Sequence, residues 1–136
     1  MNAVDTSVVV PGASPRHDDH ALAKAACGGA AVELPVHVAI EAYAVLTRLP
    51  PPHRVSPAVA QEWLTRRFGG SPVLALAADR HLHLLDSAAQ GGIAGGAVYD
   101  ALVAATCQVA GAVLLTLDRR AARTYQAMGA PYRFLR

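Results

Sequence analysis

Long apolar runs are missing from this chain. Hydrophobic residues make up 53% of its 136 positions, yet no run approaches the ~20 residues that a membrane span requires. The N-terminus shows no basic stretch followed by an apolar one, so no secretory signal is read and a cytoplasmic location, away from membranes, is expected. Cysteine is scarce: Cys27 and Cys107 stand far apart, fit no metal-ligand spacing and are expected as free, buried thiols. Aromatics are only 5% of the chain. Trp63 and the tyrosines form no stripe, so base stacking on an aromatic platform is not expected. Neither sign of charge dominates. A formal net charge of +2 permits an anionic partner without demanding one. The glycines between Gly91 and Gly96 lack the G-x-x-x-x-G-K-[ST] pattern and follow no strand, which excludes a phosphate loop. No G-x-S-x-G elbow marks a serine nucleophile. His81 and His83 are spaced for a strand but fall in a helical segment, so no metal role is expected of them.

What is present is an alternation of strands and helices over a length that suits one domain, residues 1–136. "NAVDTSVVV" (Asn2 to Val10) reads largely as a strand through Val4, Val8, Val9 and Val10, broken by Pro11, Gly12 and Pro15. Helix is expected from His17 to Gly29, over His37 to Leu49 before three prolines, and from Pro57 to about Phe68 behind a Ser56 cap. It is expected again from about Asp79 to Ala89, in "AVYDALVAATCQVAG" and in "DRRAARTYQAMG". The second of these is apolar on almost every side and is expected to be buried. "AVELPV", "PVLALA", "AVLLTL" and "PYRFL" read as short strands. There is no internal repeat. Such alternation argues an α/β fold with a mostly parallel sheet.

Four carboxylates sit where apolar residues are expected. Ligand sites in open α/β sheets lie beyond the carboxyl ends of strands. Asp5 ends the first strand and Asp118 ends "AVLLTL", so neighbouring strands would bring them face to face. Glu41 falls on the stripe of Val38, Ala42, Val45, Leu46 and Leu49 and is expected to face inward. Asp100 lies early in the apolar helix. Each has a plain structural reading as well. Asp118 suits a helix N-cap, Asp100 complements a helix dipole, Asp5 caps the next turn, and Glu41 snorkels or pairs with an arginine. Together they repel unless a cation joins them, and no lysine is near any of them in sequence. Oxygen-only ligands point to a hard divalent ion, Mg²⁺ or Mn²⁺. Arg119, Arg120 and Arg123 follow Asp118 and read either as a solvated helix face or as phosphate contacts.

"AVDTSVVV", "HVAIEAYAVLTRLP", "GGAVYDALVAATC" and "LLTLDRRAARTY" resemble, in that order, the four segments of PIN-domain proteins, and most of all the VapC toxins of bacterial toxin–antitoxin modules. The resemblance covers nearly the whole chain. It implies a three-layer fold with a five-stranded sheet of order 3-2-1-4-5, in which the first and fourth strands adjoin. It further implies a Mg²⁺-dependent endoribonuclease, a homodimer and a small inhibitory antitoxin. The family's acids fall on Asp5, Glu41, Asp100 and Asp118, and its hydroxyls on Ser7 and Thr116. On this likeness Asp5, Asp100 and Asp118 ligate the metal directly or through water, and Glu41 is a further ligand or the base for the attacking water. Ser7 and Thr116 orient the acids, and Arg119 and Arg120 grip RNA phosphate. No family motif covers residues 50–96. Two other readings stay open: another Mg²⁺ phosphoryl-transfer enzyme such as a small phosphatase, and a non-catalytic RNA-binding module. Against the phosphatase, position 7 holds Ser7 where such enzymes often carry a second acid.

Overall fold

The computed structural model describes residues 1–70 and 73–136. Strands β1 (Asn2–Val4), β2 (Val32–Pro35), β3 (Val73–Leu74), β4 (Val113–Thr116) and β5 (Tyr132–Phe134) form an all-parallel sheet of order β3-β2-β1-β4-β5. Central β1 places Ala3 opposite Glu33 on one side and Leu114 on the other. Leu114 and Leu115 point to opposite faces, and both are buried. Both faces are therefore covered, as a parallel sheet requires.

The cover comes from seven helices among the described residues. They are α1 (Thr6–Gly12), α2 (His20–Cys27), α3 (Val36–Arg48), α4 (Pro57–Phe68), α5 (His81–Gln90, entered through a 3₁₀ turn at Ala78–Arg80), α6 (Ala97–Ala110) and α7 (Arg119–Met128). The helix α3 buries Val38, Ala42 and Leu46, one residue per turn. The start of α4 is fixed by Ser56, whose side chain accepts from the Val59 N–H, with Pro57 in the first turn. The last turn of α6 ends on Gly111 at φ 71°, a left-handed position that glycine adopts without a Cβ penalty. Cys27 and Cys107 are buried and unpaired, as expected.

The structure corrects several expectations. The strand read through Val10 stops at Val4, and Thr6–Gly12 is helix with Pro11 inside it. The helix buries Val8 and Val9 against its neighbours, and that packing outweighs the β preference of the valines. "PVLALA" contributes only Val73–Leu74 as strand, and its Pro72 lies outside the described residues. The helix expected from His17 begins at His20 and stops at Cys27. Nor is α6 wholly buried: Tyr99 and Val109 are exposed.

Candidate functional site

Every βα crossover of a parallel sheet delivers its loop to the same edge. The residue after β1 is Asp5, and the pair after β4 is Leu117 and Asp118. Because β1 and β4 are hydrogen-bonded neighbours, these loops meet. A hydroxyl relay stitches them. The Leu117 N–H donates to Ser7 Oγ at 2.8 Å, which leaves the single Ser7 proton for Asp5 Oδ1 at 2.5 Å. Thr116 Oγ1 lies 3.3 Å from Ser7 Oγ and accepts from the Asp118 N–H at 3.0 Å.

Asp5 is 4% exposed. Its second oxygen accepts from the Tyr125 hydroxyl at 2.8 Å. Burial pushes the Asp5 carboxyl up, the hydroxyls of Ser7, Thr116 and Tyr125 pull it back, and the Asp118 charge adds to the rise. Burial, helped by the Asp5 charge, pushes Tyr125 far above the ordinary phenol range, so it remains a donor. Tyr125 was not singled out in the sequence, and its hydroxyl's task went unread. A phenol at a fully buried position, which must find a partner, was the available signal.

Asp118 is the N-cap of α7: its Oδ1 accepts from the N–H groups of Arg120 at 2.8 Å and Ala121 at 3.3 Å. Its plain structural reading is thus correct, and it uses one of two oxygens. Asp100, one turn into α6, is pushed up to about 6, first by burial and then by the charges of Glu41, Asp118 and Asp5. Asp5, Glu41, Asp100 and Asp118 line one cavity of about 30 Å³ together with Ser7 and Tyr125. The four acids, spread over 113 positions, are brought to one place.

Glu41 departs from its expected inward pose. Its side chain is 39% exposed and pairs with His37 Nε2 at 3.3 Å, not with an arginine. His37 in turn stacks on Tyr99, with ring centroids 5.4 Å apart and planes 6° from parallel. The lack of an aromatic stripe concealed this pair, because its rings come from α3 and α6.

Beside the cavity an open groove of about 550 Å³ runs past Glu41, Asp118, Arg119, His17 and Arg136. Arg119 lies 4.7 Å over the Phe134 ring, and Arg136 holds Asp19 through two contacts of 2.8 and 3.1 Å. Arg120 is exposed and does not line the groove. His83 lines a separate hollow of about 460 Å³ with Arg80 and Gln108, and His81 bonds the Ala77 carbonyl, so neither joins the acids.

The donor set consists of carboxylates and hydroxyls. Among the described residues the ion pairs engage Glu41, Glu62 and Asp19, and none engages Asp5, Asp100 or Asp118. Among them, too, no three acid, histidine or cysteine side chains stand close enough to enclose an ion by themselves. Mg²⁺ suits such a site, because it keeps several waters and takes one or two carboxylates. One uncommitted Asp118 oxygen and a strained Asp100 are the groups that a cation would satisfy.

The PIN domain family model matches residues 3–127. The chain is 45% identical over 128 residues to Ribonuclease VapC40 of Mycobacterium tuberculosis, covering 94% of each. It is 42% identical over 127 residues to Ribonuclease VapC27 of the same species, covering 93% of this chain and 91% of the relative. The chain belongs to the PIN-domain family, in its VapC branch. The crystal structure of FitAcB from Neisseria gonorrhoeae shares the fold, with a TM-score of 0.69, 18% identity and coverage of 97% of this chain and 96% of that one. The strand order expected of a PIN domain, 3-2-1-4-5, is the order observed. No helix among the described residues is long and apolar enough to cross a membrane.

Proposed function

We propose that this VapC-family protein is an endoribonuclease that needs Mg²⁺ or Mn²⁺, acting as the toxin of a toxin–antitoxin pair from one PIN domain spanning the chain. The observation that carries this reading is the gathering of Asp5, Glu41, Asp100 and Asp118 around one cavity with no protein cation on three of them. The names of the relatives as ribonucleases support RNA as the substrate. A small antitoxin and a second copy of the chain are its proposed protein partners, and the cytoplasm its place of action.

In this reading Asp5, Asp100 and Asp118 would hold the ion, directly or through its waters. When bound, a divalent ion acidifies a water and offsets charge at the scissile phosphate. One oxygen of Asp118 holds the start of α7, and the other would be available to the ion. Tyr125 and Ser7 fix both oxygens of Asp5, so its carboxylate cannot rotate away. Thr116 steadies the Asp118 backbone from beneath. Glu41, half exposed at the mouth of the cavity, takes the proton of the attacking water. Arg119 lines the adjoining groove and holds RNA phosphate there. Arg120, exposed outside that groove, contributes a more distant phosphate contact.

The test is incubation of the purified, antitoxin-free chain with mixed cellular RNA, with millimolar Mg²⁺ or with excess chelator. Internal cleavage with Mg²⁺ and none with chelator is expected. Equal cleavage in both overturns the metal requirement. Release of phosphate from small esters without RNA cleavage returns the phosphatase reading, and RNA binding without cleavage the non-catalytic one.

A further inference from the structure

Tyr99 is a large aromatic side chain left 55% exposed one residue before Asp100. His37 lies against its ring in a near-parallel, offset stack, and His37 is anchored at its other end by Glu41. The tyrosine is therefore not a loose surface ring. It is held in a fixed plane by a residue that is itself tied to the acid cleft. A rigid aromatic face at the rim of a phosphodiester site offers an unstacked base a partner that every base accepts, since each has a π-face. The imidazole and phenol make this platform without an aromatic stripe in the sequence.

We infer that Tyr99, backed by His37, stacks on a nucleobase next to the scissile phosphate and holds single-stranded RNA in the cleft. This rests on the ribonuclease reading and adds a base-binding step to it. Tyr99 is the contact residue, and His37 is a positioning residue that keeps the ring in plane. Stacking on a base is tolerant of its identity, so the platform selects unpaired over paired RNA and adds little sequence preference of its own. A duplex cannot use it, because its bases are already stacked and its grooves keep them from a ring at the cleft rim.

The test measures binding of a labelled single-stranded ten-nucleotide RNA to the full chain in excess chelator and low salt, so that cleavage does not interfere. A second probe has the same ribose-phosphate backbone without bases. Tyr99→Ala is expected to bind the intact RNA about 5- to 150-fold more weakly, the range seen for loss of one base–aromatic stack. Tyr99→Phe keeps the ring and is expected to stay within about twofold of wild type, while the base-free backbone binds all three proteins alike. Unchanged binding of intact RNA by Tyr99→Ala overturns the platform, as does an equal loss on the base-free backbone. A change of oligomeric state in Tyr99→Ala with RNA affinity intact also overturns it and assigns the ring to a protein interface. If the wild type neither binds RNA here nor cleaves it with Mg²⁺, the ribonuclease reading has failed. If the wild type binds RNA here and Tyr99→Ala binds it equally well, the platform alone has failed.

Discussion

In the proposed mechanism Asp118 serves two ends with its two carboxylate oxygens. One caps α7 through the Arg120 and Ala121 N–H groups. Asparagine caps nearly as well as aspartate, but its amide is a poor substitute for a charged metal ligand. Asp118→Asn is therefore expected to melt within about 0.5 kcal/mol of wild type and to lose about 100-fold or more in RNA cleavage, the equivalent of about 3 kcal/mol of barrier. Thermal melts and initial cleavage rates on one preparation check both halves, and full activity in the variant leaves Asp118 a cap alone. Asp100 gives a different signature. Its carboxyl is raised from 3.8 to about 6 in the fold, mainly by burial and then by its acidic neighbours. The folded state thus binds the proton more tightly than the unfolded one, so metal-free stability falls as pH rises from about 4 to about 6 and levels off above. In Asp100→Asn that fall is shallower. Above pH 6 the variant is expected to be more stable than the metal-free wild type by about 0.5–2 kcal/mol. Melts in chelator across this pH range check it; identical pH curves for the two proteins would remove Asp100 from the repelling cluster. All four acids were visible in the sequence as polar residues in apolar company. The tasks of Tyr125 and His37 were not, because a hydrogen bond across 120 positions and a ring stack between two helices leave no local pattern.

Helices with a marked period were legible. In α3, Val38, Ala42 and Leu46 recur on one face, and Ser56-Pro57 announces α4. The element misread in kind is α1. "TSVVVPG" is short, β-branched and apolar, and a run of that kind has no period that separates a buried helix from a buried strand. Its packing against α2 and α3 decides the matter, and packing is non-local information. The error had little effect on the site, because Asp5 was placed at a strand's carboxyl end and directly follows β1. Helix ends are a second level of control. Gly111 closes α6 in the left-handed region at φ 71° and lets the chain turn directly into β4, with the Ala112 N–H reaching back to the Cys107 carbonyl at 2.9 Å. A Cβ meets no atom there, so the cost of Gly111→Ala is conformational alone. About 1–2 kcal/mol of destabilisation is expected, with cleavage by the folded fraction unchanged. Denaturant melts with activity measured well below the midpoint check this. A variant as stable as wild type would show that the left-handed turn is not required.

At the scale of the molecule, topology does what no segment does alone. An order of 3-2-1-4-5 makes β1 and β4 neighbours, and that adjacency sets Asp5 beside Asp118. The long crossovers that create it carry α3 and α6, which bring Glu41 and Asp100 to the same edge. The alternation of strands and helices made the fold class legible, and the four ordered segments made the strand order legible by likeness. Residues 50–96 carried no such signal and include the 3₁₀ turn and α5, which line a hollow remote from the acids. The price of the arrangement is a cluster of like charges, which a bound cation would relieve. The most direct measurement is a calorimetric titration of Mn²⁺ into the full chain, repeated with Asp118→Asn and Asp100→Asn. Saturable binding to the wild type, weakened about tenfold or more in each variant, is the predicted result. No saturable binding to the wild type, or equal binding by all three proteins, would contradict the claim that these acids form a metal site.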